Sequence, residues 1–288
     1  MNAAVLLRLG RVSNLPTVWT NLLAAVVLAG GAVSDGRILP LLAAMSLFYI
    51  GGMYLNDAFD AEIDARERPE RPIPSGQISR NAVFAMGFAM LGAGIAVVAG
   101  SAAAAGAILW PVLAALGLAG AIVFYNAYHK GNPLSPVVMG LCRVLVYLTV
   151  GLCFVVPLPG DLLIGAALLL SYLIGLTYVA KQENIGRVEN MWPLLFLAAP
   201  LIYGVVLAGE SGLAWGFLLV FLAWVLVALW FVRRRAPGDI PRAVISLIAG
   251  ICLLDGLLIA GAGALLPALV CVAGFLLTLA LQRFVPGT

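Results

Sequence analysis

The chain has 288 residues, 63% of them hydrophobic and 10% charged, with a net charge of +3 and a mean hydropathy of +1.09. These values exclude an ordinary soluble domain, and no long linker or low-complexity tract is visible. A transmembrane helix takes ~20 apolar residues, so there is room for about nine or ten spans joined by short connections.

In chain order, apolar runs fall at roughly 14–32, 37–56, 81–101, 105–126, 134–156, 162–181, 191–208, 212–232, 242–262 and 264–282. The stretch Gly261-Ala262-Gly263 separates the last two, which are either two helices or one broken helix. The expected fold is an all-α, polytopic membrane helical bundle, a single domain over 1–288, with nine core transmembrane helices and a tenth crossing at the C-terminus. Arg8 and Arg11 precede a full-length span instead of the short apolar core of a secretory signal. With the N-terminus in the cytoplasm, Arg66, Arg68, Arg71, Arg80, Lys130, Arg143, Lys181, Arg187, Arg233, Arg234, Arg235, Arg242 and Arg283 fall on the same side. Fifteen of the 16 basic residues are then cytoplasmic and only Arg37 is outside. That topology accounts for the net positive charge, with no nucleic-acid partner needed. The expected location is a bacterial inner membrane. Cys142, Cys153, Cys252 and Cys271 lie in apolar runs without metal-ligand spacing and read as packing residues. His129 is the only histidine, which excludes a histidine-based metal site.

Chemistry concentrates after the second run. Asn56-Asp57-Ala58-Phe59-Asp60-Ala61-Glu62-Ile63-Asp64 packs four carboxylates into nine positions. Asp57, Asp60 and Asp64 are spaced i, i+3, i+7, which on one helix puts them on one face. Such a stripe repels itself unless a cation sits in it. Mg²⁺ takes hard oxygen ligands, commonly one or two carboxylates plus substrate phosphates. Three arginines follow, Arg66, Arg68 and Arg71, then a stiff turn, Pro72-Ile73-Pro74-Ser75-Gly76. Arginine forks bind phosphate oxygens bidentately. Metal-seeking carboxylates beside arginines point to a Mg-diphosphate site at a membrane surface.

The run Asn-Asp-x-x-Asp-x-x-x-Asp followed by Arg-Pro-Ile-Pro-Ser-Gly resembles the first signature of the UbiA-type membrane prenyltransferases, in wording closest to their chlorophyll synthase branch. The resemblance covers essentially the whole chain. It implies transfer of a prenyl group from a prenyl diphosphate to an acceptor within the membrane, with Mg²⁺ held between two acidic motifs. It assigns Asn56, Asp57, Asp60 and Asp64 to the first motif, with Asp57, Asp60 and Asp64 as metal ligands, and makes Arg71 a phosphate contact. In Tyr125-Asn126-Ala127-Tyr128-His129-Lys130 it makes Lys130 a diphosphate contact. Asn14, near the entry of the first span, is placed on the cavity wall. Arg143 lies inside a span, where a charge is costly and commonly functional.

The second half departs from the pattern. Where the family carries Asp-x-x-x-Asp or Asp-x-x-Asp, this chain reads Tyr178-Val179-Ala180-Lys181-Gln182-Glu183-Asn184. With Tyr178 set against Tyr54, Lys181 takes the place of Asp57 and Asn184 that of Asp60. Glu183 is left as the metal ligand there. Lys181 is then expected to act as a fixed cation on the diphosphate, with Asn184 as a further substrate contact. Asp255 lies mid-span, where a carboxylate costs on the order of 3 kcal/mol on insertion scales, so it requires an interior partner. Two other classes fit parts of the pattern. One is a non-catalytic or redirected relative that binds a prenyl or polyol phosphate for lipid-linked transport or assembly. The other is a secondary transporter. The absence of a strong internal repeat and the surface position of the Asp cluster oppose the latter.

Overall fold

The computed structural model describes residues 3–104, 106, 108–182, 190–285 and 287. A short helix, α1 (Ala3–Leu9), leads into a 3-10 turn over Val12–Asn14 and α2 (Leu15–Leu28). Then come α3 (Ile38–Phe59), a short α4 (Ala61–Glu67), α5 (Arg80–Ala104), α6 (Leu109–Tyr128), α7 (Ser135–Leu152) and α8 (Gly160–Lys181). A 3-10 segment over Trp192–Leu197 opens α9 (Ala198–Glu210), followed by α10 (Gly212–Arg234), α11 (Asp239–Gly261) and α12 (Leu265–Leu281). Among the described residues, eight helical spans are long and apolar enough to cross a membrane, and Val12–Leu28 and Leu265–Leu281 are shorter apolar helices. The protein is thus an all-helical, multi-pass membrane bundle. Each apolar run of the sequence has its helix, and Gly263, at φ 77°, divides the last two.

Burial separates an inner helix from its sheath. In α11, 89% of the apolar window is buried, against 28% in α5, α6 and α10. A helix apolar all round belongs inside the bundle, and α11 packs on α2, α8, α9, α10 and α12. The outer faces of the sheath stay apolar, with Trp110, Leu195, Ile202 and Leu266 exposed, as lipid contact requires.

Two local features position the polar residues. Gly51 of α3 and Gly87 of α5 face each other so closely that a Cβ on Gly51 would lie 3.0 Å from the Gly87 carbonyl oxygen. The end of α3 also carries a small apolar cluster of its own, built from Val5, Leu9, Tyr54, Ala58, Ile78 and Val83, with Ile73 against it. This cluster clamps α1 and the proline-rich turn beneath the acidic segment. The turn closes through Ser75 N to Arg71 O and Gln77 N to Pro72 O, each 3.0 Å.

Candidate active site

The three aspartates do not share one helix. The α3 helix ends at Phe59, Asp60 is the joint, and α4 starts at Ala61. The cause is Arg80, whose Nε donates to the Ala58 carbonyl at 2.8 Å and so takes an acceptor from the helical ladder. The hydrogen bonds Asp60 N to Asn56 O and Asp64 N to Asp60 O bridge the joint. The spacing thus still gathers the carboxylates on one side, across a break the sequence reading placed inside one helix.

All three are buried and each has cationic company. Asp57 Oδ1 accepts from Arg11 Nη2 at 3.0 Å and lies 3.4 Å from Arg71 Nη1. The same Arg71 nitrogen reaches Asp64 Oδ2 at 2.7 Å. Asp60 Oδ2 lies 3.4 Å from His129 Nε2 and 3.6 Å from Lys130 Nζ. Burial works against the charge on Asp60. The His129 hydrogen bond and the Lys130 and Arg71 charges outweigh it and hold the carboxyl below its ordinary range. Burial likewise works against Arg71, but Asp57 and Asp64 keep it more firmly protonated than a free guanidinium. Asn56 completes the cluster, accepting from Arg11 at 3.3 Å and donating to Asn126 Oδ1 at 3.2 Å. Asn126 in turn donates to the Gly52 carbonyl.

Except for Asp57, which is reached through Arg11 and Arg71, these groups line a cavity of about 330 Å³. At its polar end stand Arg11, Asn56, Asp60, Asp64, Arg71, His129 and Lys130. Deeper in, the wall turns apolar with Met45, Phe48, Leu118, Ile122, Leu173 and Ile251, interrupted by Arg143. Asn14 lies on the wall, as expected from sequence, but its amide is engaged by the C-terminal segment. It donates to Gly287 O and accepts from Gln282 Nε2, each at 2.9 Å.

Lys181 sits differently from its expected place on the diphosphate. Its ammonium donates to Asn132 O at 2.8 Å and Ser135 Oγ at 3.0 Å, tying down the connection between α6 and α7, and it is not among the cavity-lining residues. Glu183 and Asn184 lie outside the described residues. Arg11, His129 and Asn126 are site residues that sequence reasoning did not select. Arg11 carries a structural mark of its own, a left-handed backbone at φ 40°, ψ 47°.

The carboxylate oxygens have the chemistry Mg²⁺ takes, and one or two suffice when a phosphate supplies the rest. Among the described residues no three acidic, histidine or cysteine side chains form a ready metal cage. The set therefore fits an ion shared with a diphosphate better than a resident one.

Comparison with known proteins agrees with this geometry. Residues 17–248 match the UbiA prenyltransferase family. A digeranylgeranylglyceryl phosphate synthase from Methanopyrus kandleri is 32% identical over 203 residues, 69% of this chain and 69% of that protein. One of the same name from Methanoregula boonei is 45% identical over 73 residues, 25% of this chain and 26% of that protein. The fold is similar to a solved structure described as that of digeranylgeranylglyceryl phosphate synthase in membranes. Its TM-score is 0.65 at 16% identity, covering 90% of this chain and 97% of that one. It is also similar to a UbiA homolog from Aeropyrum pernix K1, with TM-score 0.65 at 15% identity over 85% of this chain and 94% of that one. With most of its length inside the family match and a buried acid-arginine cluster at the mouth of an apolar cavity, this chain belongs to the UbiA prenyltransferase family and is a multi-pass membrane prenyltransferase.

Proposed function

We propose that the chain moves a prenyl group from a prenyl diphosphate onto an acceptor inside the membrane, with Mg²⁺ and the diphosphate bound together at Asp57, Asp60 and Asp64. The observation that carries this reading is the pairing of each of these buried aspartates with a cation, with Asp60 and Asp64 at the polar end of a cavity whose depth is apolar and Asp57 bonded to Arg11 and Arg71, which line it. When bound, Mg²⁺ supplies charge to the leaving diphosphate. Asp57 and Asp60 would hold it, with Asp64 one turn further on as a further ligand.

The chain's own cations do the rest. Arg11 and Arg71 are preset by Asp57 and Asp64, and Lys130 and His129 by Asp60. They turn from carboxylate to phosphate oxygens as the diphosphate enters, and so offset charge that builds as the C–O bond breaks. Phe48, Leu118 and Ile122 exclude water from the allylic cation. In this reading the chain is one domain, and its N-terminus and this site face the cytoplasm, as the basic-residue pattern supports.

The test is pyrophosphate release by purified protein, with and without Mg²⁺, across geranyl to polyprenyl diphosphates. Release that needs Mg²⁺ and depends on Asp57 supports the reading. A protein that binds a prenyl diphosphate but never releases pyrophosphate with any acceptor tried would favour a lipid-phosphate carrier.

A further inference from the structure

Most charges of the bundle are answered in place. Arg37 pairs with Asp35 at 2.7 Å and Arg80 with Glu62 at 3.0 Å. Asp255, fully buried in α11, accepts from Thr20 Oγ1 at 2.6 Å, from Asn21 Nδ2 at 2.8 Å and from Tyr147 OH at 2.5 Å. The connection between α10 and α11 is different. Residues 233–242 hold four arginines, Arg233, Arg234, Arg235 and Arg242, against one carboxylate, Asp239.

Two left-handed residues fold this connection tightly. Arg235 closes α10 at φ 56°, ψ 27°, and Gly238 precedes α11 at φ 80°. Asp239, the first residue of α11, is buried there. Its Oδ2 accepts from Arg234 Nε at 2.7 Å and from the Ala236 backbone N–H at 2.9 Å. Its Oδ1 accepts from Arg234 Nη2 at 2.5 Å and from Arg242 Nη1 at 3.5 Å. The two guanidinia thus share one oxygen. They are close enough for a phosphate to bridge, each N–H···O⁻ bond taking about 2.7–2.9 Å.

Asp239 orients both arginines but neutralises only one charge. Arg234 uses two of its five N–H donors on it, at Nε and Nη2, which leaves three. Among the described residues no carboxylate lies within 4.0 Å of Arg233 or Arg235, and Arg233, Arg235 and Arg242 are exposed. Trp230 is exposed as well, and the Arg234 guanidinium lies 4.3 Å over its ring. Leu219, Leu222, Leu226 and Trp230 form an exposed apolar stripe on α10 that runs up to Arg234. A tryptophan between an apolar stripe and a cationic cluster marks the depth of lipid headgroups. Insertion topology asks only for basic residues on one side of the membrane. It does not ask for guanidinia gathered on a buried acid at the end of such a stripe.

We infer that this cluster binds the phosphate of an anionic phospholipid headgroup. Arg234 and Arg242 form the fork on the phosphate, Arg233 and Arg235 add flanking charge, and Asp239 positions the fork. The acyl chains follow the apolar stripe of α10, which a soluble phosphate could not use. None of these arginines lines the cavity of the acidic cluster, so the site stands apart from the transfer reaction.

The test is native mass spectrometry of the purified full-length protein in a non-ionic detergent. The protein is titrated with dioleoyl phosphatidylglycerol and with dioleoyl phosphatidylcholine, its net-neutral counterpart. The first phosphatidylglycerol should bind the wild type at least about 10-fold more tightly than phosphatidylcholine. Arg235→Gly combined with Arg242→Gln should remove most of that preference, at about 5-fold per arginine, with phosphatidylcholine binding unchanged. Glycine suits the left-handed backbone at 235, so the loss cannot be put down to misfolding. Arg8→Gln combined with Arg283→Gln removes the same charge elsewhere and should keep the preference. Equal losses in the two double variants overturn the proposal, because the cluster would then be only part of a general positive field. A wild type without the preference overturns it too. So does displacement of phosphatidylglycerol by glycerol phosphate at matched concentration, which would make the cluster a site for soluble phosphate.

Discussion

Arg11 shows what one residue contributes to this site. A non-glycine residue in the left-handed region is costly, on the order of 1–3 kcal/mol, and persists where the surroundings hold it. Here the holding groups are Asp57 and Asn56 on one side and the Tyr49 hydroxyl, 3.3 Å from the Arg11 carbonyl, on the other. Arg11→Gly should therefore relieve backbone strain and be more heat-stable than Arg11→Ala by about 1 kcal/mol. Both should weaken prenyl thiolodiphosphate binding by about 1.5–3 kcal/mol, the range for a charge-assisted hydrogen bond. Thermal unfolding and calorimetry on the two variants separate strain from charge, and equal stability would show that the conformation costs nothing. Asp57→Asn removes the partner that Arg11 and Arg71 share, and it should cost at least as much thiolodiphosphate affinity in Mg²⁺ as Arg11→Ala. Lys181→Ala should behave otherwise. Its two bonds lock the connection between α6 and α7, so it should lower stability by about 1–2 kcal/mol while thiolodiphosphate affinity stays within a few-fold of wild type. A large affinity loss with unchanged stability would return Lys181 to the diphosphate.

The elements were legible in the chain almost throughout, because each needs about 20 apolar residues and charged or glycine-rich connections to divide it. The joint at Asp60 was not. It depends on Arg80 reaching back 22 residues to the Ala58 carbonyl, and periodicity contains no trace of such a contact. The bonds of Lys181 to Asn132 and Ser135 were not legible for a related reason. Setting Tyr178 against Tyr54 fixes a position along α8 but not the direction of a long side chain with backbone acceptors nearby. The approach of α3 to α5 supplies the prediction at this scale. A Cβ on Gly51 would press on the Gly87 carbonyl at 3.0 Å and on Met90 at 3.1 Å, so a larger side chain must push the helices apart. Gly51→Val should cost about 1–3 kcal/mol of stability, as overpacking does, and should displace Asn56 and Asp57 about one and a half turns on, weakening thiolodiphosphate binding as well. Gly92 lies on the lipid-facing side of α5 with open space beyond it, so Gly92→Ala should be neutral or slightly stabilising. Matched losses in both variants would mean that the close approach of α3 to α5 does not set the effect.

At the scale of the whole molecule, the long-range contacts sort the connections into two ends, and the charge pattern sorts them the same way. Arg11, Asp57, Arg71, His129 and Lys130 meet at one end, joined by Lys181 through Asn132, and by Gln282 through Asn14. At the other end Arg37 donates to the Cys153 carbonyl and lies 4.3 Å over the Phe154 ring. Arg37 is also the single basic residue that the positive-inside count puts outside. The pattern of basic residues and the geometry of the bundle are independent observations, one a matter of insertion and the other of packing. They agree on which connections share an end, and the charge pattern alone assigns that end to the cytoplasm. Residues within 60–80, 128–132, 182–190 and 234–241 should accordingly share the cytoplasmic face with the N-terminus, and 33–36 should face outward. Single cysteines introduced in these stretches, in a background with Cys142, Cys153, Cys252 and Cys271 replaced, can be probed on intact cells with a membrane-impermeant maleimide. Only a cysteine in 33–36 should react before the cells are opened, and those in the other four stretches only afterwards. Reaction at 60–80 from outside would invert the bundle. The acidic cluster would then open to the outside, and the cytoplasmic entry proposed for the diphosphate would fail with the topology.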